Sequence, residues 1–389
     1  MTTRGETLRL ATRGSDLALR QAATVRDSLS SRRLSVELVE VETTGDQIRD
    51  ELIHRLGKTG AFVRSLDEKV LEGELDAAVH SMKDMPTERP ERLVVAAVPE
   101  RAAAEDVLVT PDGRSLDELP EGATVGTSSL RRKAQLLAER DDLTVEPLRG
   151  NVDTRIAKLL APSLQQEHQE RHEAEQEHEG DAGDGDDADP DADEEEEHPY
   201  DRTVEEWFDD LTEFERRAME RDPDVEYDAI VLAKAGLHRA GLTRYVGMSD
   251  LDPDRFVPAP GQGALAVTAV DGDLALDIKD RLDDPQTRVE TTVERTILEE
   301  LGGGCVAPIG VHAHLEGGVV HTRVRVLSQD GTEEVSVGRD IPAEYHIDAA
   351  QDLAAELAEQ GADDLIAEAK RDSTGADDDA ATAREEDEE

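Results

Sequence analysis

The chain contains one cysteine, Cys305, in the glycine-rich stretch from Leu301 to Gly310. A single cysteine cannot form an intramolecular disulfide, and such a residue is often a small apolar side chain in a core. The three glycines before it give a backbone that permits unusual dihedral angles and the close approach of a bulky group. A thiol on such a loop is also typical of a nucleophile or of an attachment point. Both interpretations stay open for this residue alone.

Arginines occur where predicted strands give way to helices. They are Arg13, Arg131, Arg132, Arg149, Arg155 and Arg239. In α/β sheets such turns lie at the carboxyl edge of the sheet, where ligands bind. A helix N-terminus binds anions, and arginine forks suit carboxylates or phosphates. Cations at helix starts oppose the helix dipole, so their placement predicts a bound anion. We therefore predict a pocket that binds a polyanion at several points.

Asp84 is the one acid placed among these cations, beside Lys83 at the end of a predicted strand. A carboxylate in this place can stabilise a cationic intermediate or move protons. A salt bridge or a turn cap is equally consistent with its position. The residue type and position alone therefore do not choose between catalysis and structure.

The elements that must position these residues alternate between strand and helix. Predicted strands cover 8–12, 36–41, 76–79, 93–98, 107–109, 123–126, 143–148, 229–233 and 264–270. Predicted helices cover 17–29, 62–71, 127–139, 151–160 and 274–282. Two similar halves of this kind predict two α/β lobes with mainly parallel sheets. The remainder, with a helix over 287–301, antiparallel strands over 319–326 and 333–337 and a helix over 348–369, predicts a smaller α+β domain that carries Cys305.

The composition is strongly acidic. The chain of 389 residues has a formal net charge of −50, and residues 161–224 alone contain 27 acids and 5 bases. Such a surface repels nucleic acid and destabilises a compact fold at low ionic strength. In molar salt the Debye length falls to about 3 Å, which screens this repulsion. We therefore predict no nucleic-acid partner and a salt-loaded cytoplasm of the halophilic kind.

The sequence was also compared with the patterns of secretory signals, membrane spans and disordered segments. The first ten residues contain no apolar core of a secretory signal, and no run of 18 apolar residues predicts a membrane span. Together with a single cysteine, this predicts a reducing, cytoplasmic setting. The composition predicts that segment 161–224 is a largely disordered insertion and that 372–389 is a disordered acidic tail. The histidines of the insertion are irregularly spaced, so no metal site is predicted.

Six motifs together resemble the porphobilinogen deaminase (hydroxymethylbilane synthase) family and occur in that family's order. They are Arg13–Ser15, Val79–Asp84, Gly126–Arg132, Leu148–Asn151, Pro260–Gly263 and Gly303–Cys305. The resemblance implies three domains, of which the first two are shaped like a periplasmic binding protein. The predicted division is lobe 1 over 1–100 and 262–282, lobe 2 over 104–260 with the insertion 161–224, and a C-terminal α+β domain over 284–371.

The resemblance also implies a chemistry. A dipyrromethane cofactor would be joined by a thioether to Cys305, and four porphobilinogen units would be added to it with loss of ammonia each time. Hydrolysis would then release linear hydroxymethylbilane. Asp84 and Lys83 would be catalytic, with Asp84 assisting the loss of ammonia and stabilising the resulting cation.

The implied binding residues fall into two groups. Those for the cofactor are Cys305, Ser81, Lys83, Asp84, Ser129, Arg131, Arg132 and Gly150. Those for the substrate are Arg13, Ser15, Phe62, Arg149, Arg155 and Arg239. The implied partners are porphobilinogen and, by hand-over of the product, uroporphyrinogen III synthase. A monomer without a membrane partner is expected.

The chain departs from the family pattern in two places. The stretch Gly57-Lys58-Thr59-Gly60 replaces the family's usual Gly-Gly-Lys-Gly, so the lysine stands one position early. The polyacidic insertion separates Leu160 from Tyr227, which the family joins by a few residues. Two other classes fit part of the sequence: a two-lobed receptor for an anionic solute, and an acidic scaffold protein. Cys305 and Asp84 favour the enzyme, since a receptor needs neither residue.

Overall fold

The computed structural model describes residues 6–41, 61–181, 200–222, 224–303 and 307–372. The strands in these ranges are β1 (Glu6–Arg13), β2 (Leu34–Val41), β3 (Ala77–Ser81), β4 (Leu93–Ala97), β5 (Asp106–Thr110), β6 (Thr124–Gly126), β7 (Thr144–Glu146), β8 (Ala229–Ala233), β9 (Gly247–Asp250), β10 (Leu265–Val270), β11 (Ile309–Glu316), β12 (Val319–Leu327) and β13 (Glu334–Pro342). The helices are α1 (Asp16–Leu29), α2 (Ala61–Leu71), α3 (Leu130–Glu139), α4 (Val152–Asp181), α5 (Val204–Asp210), α6 (Glu213–Met219), α7 (Lys234–Ala240), α8 (Asp273–Leu282), α9 (Pro285–Glu300), α10 (His346–Glu359) and α11 over 362–372.

The first sheet has the strand order β2-β1-β3-β10-β4. β1 pairs in parallel with β2 and β3, whereas β10 runs antiparallel to both β3 and β4. Four of these five described strands therefore point the same way. Leu8 and Leu10 of β1 are buried against Ala22 and Val25 of α1, which fixes the helix on this sheet.

The second sheet repeats this arrangement in the order β7-β6-β8-β5-β9. β6 is parallel to β7 and β8, and β5 is antiparallel to β8 and β9. The chain crosses from the first sheet to the second through 98–105 and returns through 251–264. In each sheet the opposing strand is the one that enters directly after such a crossing. The predicted α/β class with mainly parallel sheets is confirmed.

The third sheet is antiparallel and consists of β11, β12 and β13 in sequence order. Helices α9 and α10 cover it, and the core between them contains Ile297, Val311, Val324 and Leu353. All four side chains are at most 1% exposed. This is the smaller α+β unit predicted for the C-terminal part of the chain.

The described parts of the acidic insertion, residues 161–181 and 200–222, contain helices where the sequence predicts a largely disordered segment, and residues 182–199 lie outside the described ranges. Helix α4 continues without interruption through Asp181, and α5 and α6 follow after residue 199. Trp207 of α5 is only 9% exposed, and its ring lies 6.0 Å from that of His168 on α4. The Arg171 guanidinium lies 4.3 Å from the centre of the Tyr200 ring. These few aromatic contacts supply the apolar burial that the composition of the segment does not indicate.

Both short helices of the insertion are capped. Thr203 begins α5 and Thr212 begins α6, each with a glutamate three residues later in a capping box. Ala218 of α6 is fully buried in the core of the second sheet. The end of the insertion is therefore part of the second lobe rather than a loose linker.

Several sequence predictions fall on residues outside the described ranges. They concern Lys58 and its glycine loop, Cys305 and the acidic tail after residue 372. Among the described residues, no helix is long and apolar enough to cross a membrane.

Candidate active site

A cleft of about 320 Å³ lies between the first and second sheets, at the ends of their parallel strands. Nine of the predicted site residues line it. They are Arg13, Ser15, Ser81, Lys83, Asp84, Arg132, Gly150, Arg155 and Arg239. The strand-to-helix turns of both lobes therefore meet at one place, as expected for ligand sites in α/β folds.

The turn after β3 presents the only carboxylate among the described residues that line the cleft, that of Asp84. The chain forms a short 3₁₀ turn over Met82–Asp84 directly after the strand. Met82 is 3% exposed and Met85 is 4% exposed, so one side of the turn is fixed in the core. Lys83 and Asp84 lie on the other side and face the cleft.

Lys83 lies in a strongly cationic part of the cleft. Burial lowers the pKa of its ammonium, and the nearby charge of Arg132 lowers the pKa further. The neighbouring Asp84 carboxylate acts in the opposite direction and favours the charged form. Arg155 shows the same pattern, because burial lowers the pKa of its guanidinium to about 10. Both shifts are caused mainly by burial, and the charge of Arg132 contributes to each of them.

Arg132 is held from below by a buried carboxylate. Asp106, the first residue of β5, is 0% exposed and accepts hydrogen bonds at 2.8 Å from Nη2 of Arg132 and from Nη2 of Arg131. Gln262 donates from Nε2 to the same carboxylate at 2.7 Å and to the carbonyl oxygen of Ala104 at 2.6 Å. Burial would raise the pKa of Asp106, but the two guanidinium charges and their hydrogen bonds outweigh it and hold the pKa below its usual range.

The two adjacent arginines have different surroundings. Arg132 lines the cleft, and its buried Nε has no hydrogen-bond partner among the described residues. Arg131 is not among the residues that line the cleft, and its Nη1 donates to the carbonyl oxygen of Val257 at 2.7 Å. Its predicted contact with the cofactor stays a prediction, beside a structural role that the contacts show directly.

The loop after β7 is shaped by a glycine. Gly150 has a φ of +108°, and a Cβ at this position would lie 2.5 Å from Cγ2 of Thr154. Only glycine fits such a backbone without strain. Its carbonyl oxygen accepts a hydrogen bond at 2.8 Å from Nε of Arg155, which directs this arginine along the cleft wall.

Further residues of the cleft come from the end of β1 in the first sheet and from α7, which follows β8 of the second sheet. Arg13 is the last residue of β1, and Ser15 caps α1, where its Oγ accepts a hydrogen bond from the amide of Ala18 at 3.3 Å. Arg239 on α7 donates from Nη2 to the carbonyl oxygen of Gly263 at 2.9 Å. Burial lowers the pKa of Arg239.

The remaining predicted residues are less clearly placed. Ser129 is the N-cap of α3 and accepts from the amide of Arg132, and neither Ser129 nor Arg149 is among the residues that line the cleft. Phe62 is the second residue of α2. Their predicted contacts with ligand stay predictions.

The glycine loop of Cys305 begins directly after α9. A Cβ on Gly303 would lie 2.6 Å from Cδ1 of Leu298, so this glycine permits the chain to turn closely over the helix end. Gly302 has a φ of +62°, which also favours glycine. Cys305 itself lies outside the described residues.

Asp106 and Gln262 are the site residues that the sequence analysis missed. A charged residue at the start of an apolar strand is a signal for Asp106, since such a carboxylate must be paired when it is buried. Gln262 lies in the motif Pro260–Gly263, and the motif alone does not predict a role for this side chain. The structure shows that it joins the crossing between the sheets to the arginine network.

The arrangement is suited to an anionic ligand. Five cations line the described part of the cleft: Arg13, Lys83, Arg132, Arg155 and Arg239. Asp84 is the only acid beside them, in a chain whose net charge is −50. A guanidinium binds a carboxylate with two parallel hydrogen bonds, so several carboxylates can be held at once. The single carboxylate is then placed to face a cationic group of that ligand.

Two family models match the chain. The first is described as "Porphobilinogen deaminase, dipyromethane cofactor binding domain" and matches residues 8–166 and 214–277. The second is described as "Porphobilinogen deaminase, C-terminal domain" and matches residues 289–360. The acidic insertion provides the gap between the two matched parts of the first model.

Curated relatives align over nearly the whole chain. A "Probable porphobilinogen deaminase" of Halobacterium salinarum is 53% identical over 388 residues, which cover 93% of this chain and 98% of the relative. A protein of the same name from Methanococcoides burtonii is 36% identical and covers 95% of this chain and 99% of the relative. A "Porphobilinogen deaminase" of Sulfurimonas denitrificans is 35% identical over 93% of this chain and 96% of the relative.

Proposed function

Because this chain belongs to the porphobilinogen deaminase family, whose members are transferases, we propose that its cleft performs hydroxymethylbilane synthesis. In this reaction four porphobilinogen units are joined one after another, and each loses ammonia. Hydrolysis then releases the linear tetrapyrrole. The observation that supports this proposal most directly is the placement of one carboxylate, Asp84, among five cations in the cleft.

The residues of the cleft fit a dipyrromethane group, for which the matched family domain is described. The buried Nε of Arg132 has no hydrogen-bond partner among the described residues, so a carboxylate of the cofactor would satisfy it. Lys83, Arg132 and Ser81 would hold the cofactor, with Gly150 permitting a close approach of the backbone. When bound, the group supplies the primer on which the product is assembled, attached through the thiol of Cys305.

Each incoming porphobilinogen carries an acetate and a propionate, which require cationic partners. Arg13 ends β1, Arg155 lies on α4 and Arg239 lies on α7, so the three cations line the cleft from different elements. Bidentate pairing fixes the orientation of the pyrrole ring as well as its position. Orientation of this kind accounts for a large part of the rate in reactions that join two bound groups.

Asp84 has the electrostatic role. Loss of ammonia breaks the bond between the aminomethyl carbon and nitrogen, and leaves positive charge on the methylene and pyrrole of the substrate. A carboxylate that faces this group stabilises the charge as it develops. The same carboxylate accepts a hydrogen bond from the pyrrole N–H. Lys83 beside it offers its own charge to a carboxylate of the ligand.

The finer assignments belong to the same proposal. The division into lobe 1 (1–100 and 262–282), lobe 2 (104–260) and a C-terminal domain (284–371) is supported by the two crossings between the sheets and by the separate third sheet. We include in the proposal a cytoplasmic monomer that passes its unstable linear product to uroporphyrinogen III synthase. The remaining predicted contacts, from Ser15, Phe62, Ser129, Arg131 and Arg149, are part of it as well.

The test is a turnover assay on protein kept in concentrated salt. Porphobilinogen consumption and ammonia release are measured for the wild type, for Asp84→Asn, and for Asp280→Asn, an exposed aspartate on α8 outside the cleft. We expect equal amounts of ammonia released and porphobilinogen consumed. Asp84→Asn should lower kcat by about 10²- to 10⁴-fold, and Asp280→Asn should leave it unchanged. A wild type that binds porphobilinogen without releasing ammonia would identify a receptor instead.

A further inference from the structure

Arg295, on helix α9 of the C-terminal unit, binds the backbone of the turn Met82–Asp84. Its Nη1 donates to the carbonyl oxygens of Met82 and Met85, at 3.2 Å each. Its Nη2 donates to the carbonyl oxygen of Pro86 at 2.7 Å. One guanidinium therefore binds three backbone carbonyls, one at the start of the turn and two directly after it, on either side of Asp84.

Among the described residues, two further backbone hydrogen bonds help to fix the position of this turn. The amide of Met82 donates to the carbonyl oxygen of Ala264 at 3.1 Å, which joins the start of the turn to the strand β10. The amide of Met85 donates to Met82 within the turn itself, at 3.1 Å. The end of the turn is thus held from outside mainly by Arg295 and by the burial of the two methionines. Asp84 is exposed to the cleft, so its position follows that of this backbone.

We propose that Arg295 is a positioning residue, which sets the place of the Asp84 carboxylate relative to helix α9. The sequence passes from the end of this helix directly into the glycine loop of Cys305, so α9 is the element that leads to the point of attachment. One contact thereby relates the carboxylate of the first lobe to the unit that carries the growing chain. This inference rests on the proposed function, because that function gives Asp84 its role.

A lysine is a poor substitute for Arg295. The guanidinium is planar and directs its N–H groups in a fixed fork, which matches acceptors on one side of a turn. A lysine ammonium has a single nitrogen and does not reproduce this spacing. Replacement of Arg295 by methionine would remove its hydrogen bonds to all three carbonyls and leave only the bond from the amide of Met85 to Met82, which would allow the turn to shift.

The same helix offers a matched control. Arg288 lies two turns before Arg295 and donates from Nη2 to the carbonyl oxygens of Val95 and Ala96, at 3.2 Å each. Its Nε also donates to Asp283 at 2.6 Å. Both arginines thus attach α9 to the backbone of the first sheet, but only Arg295 contacts the turn of Asp84.

The experiment compares full-length Arg295→Met, Arg295→Lys and Arg288→Met with the wild type in concentrated salt. For each protein kcat, KM and the melting temperature are measured with porphobilinogen as substrate. We expect both methionine variants to melt at a lower temperature, since each loses hydrogen bonds between the same two units. Arg295→Met should lower kcat by about 10- to 100-fold with little change in KM, because small displacements of catalytic groups have effects of this size. Arg295→Lys should fall between Arg295→Met and the wild type, and Arg288→Met should keep the kcat of the wild type.

The outcomes separate positioning from structure and from the function itself. Equal values of kcat for Arg295→Met and Arg288→Met would overturn the inference, as would a loss that appears only in KM. If Arg295→Met does not fold, Arg295→Lys decides, and a kcat equal to that of the wild type would contradict the inference. A wild type without turnover would overturn the proposed function, whereas an active wild type with unaffected Arg295 variants would overturn this inference alone.

Discussion

Oδ1 of Asp106 lies 2.8 Å from Nη2 of Arg132, in a network that is closed to solvent beneath the cleft. The second oxygen of the same carboxylate binds Arg131 at 2.8 Å. One aspartate therefore orients two consecutive arginines, and the crossing residue Gln262 completes the network from the other side. Arg132 lines the cleft and is held there by a carboxylate that is itself fully buried.

Substitution of Asp106 by asparagine should destabilise the fold. It leaves two buried guanidinium groups without their anion, which costs about 3–5 kcal/mol in the free energy of unfolding at neutral pH. Because the pKa of Asp106 is lowered in the folded state, its contribution is present above the ordinary value of 3.8 and is lost as the pH falls through the lowered pKa. Denaturant unfolding should be measured for the wild type and Asp106→Asn at decreasing pH. The difference between their free energies of unfolding should become smaller as the pH falls below 3.8. Equal stability at neutral pH would contradict this expectation.

The activity at alkaline pH should depend on the charge of Lys83. Burial lowers the pKa of its ammonium below the ordinary value of 10.5, so the charge is lost at a lower pH than in a free lysine. We expect kcat/KM to decrease as the pH rises through this lowered pKa, because one cation of the cleft disappears. Lys83→Arg should move the decrease to higher pH, since arginine keeps its charge. The same alkaline decrease in both proteins would show that Lys83 is not the group responsible.

Salt should stabilise this protein. The net charge of −50 produces repulsion that high ionic strength screens. Thermal melting in increasing KCl should give a rising melting temperature, whereas sucrose at the same osmolarity should have a smaller effect. A native circular dichroism spectrum together with full activity in dilute buffer would contradict the prediction of a halophilic protein.

The tip of the acidic insertion should be dispensable for turnover. Residues 173–199 contain 15 acidic residues and no lysine or arginine. The contact of Arg171 with the Tyr200 ring, at 4.3 Å, already brings the two ends of this segment together. Helix α4 lines the cleft with Val152 and Arg155 in its first turn, and residues 173–181 form the other end of this helix. A variant without 173–199 should keep kcat and KM within about twofold, as expected for surface changes far from a site.

Stability of that shortened variant provides a second measurement. With less negative charge, it should reach its maximal melting temperature at a lower KCl concentration than the wild type. A large loss of kcat in a folded variant would instead mean that the insertion acts on the cleft.

The sequence predicted the placement of Arg13, Lys83 and Arg155 well, because strand ends of parallel sheets meet at one edge whatever the details of packing. It did not separate Arg131 from Arg132. Neighbouring residues on a helix point in different directions, and only the position of Asp106 and Val257 decides which arginine faces the cleft. Contacts between residues so far apart in sequence are not visible in local patterns.

The ends of the helices likewise depend partly on local sequence and partly on contacts with distant residues. The predicted helix over 348–369 is broken at Gly361, whose φ of +98° ends α10. A glycine inside an otherwise helical pattern is a local signal that the periodicity obscured. The continuation of α4 through Asp181 had no such signal, since it depends on contacts of His168 and Arg171 with rings beyond residue 199.

Intact mass spectrometry of protein purified in concentrated salt tests the central claim most directly. The wild type should exceed the polypeptide mass by two linked pyrroles, and Cys305→Ser should have the polypeptide mass alone. Asp84→Asn keeps the thiol of Cys305 and serves as the control for the attachment site. Supplied with the preformed cofactor, it should show the same added mass as the wild type. A wild type that shows only the polypeptide mass, and that forms no adduct after incubation with porphobilinogen, would contradict the account.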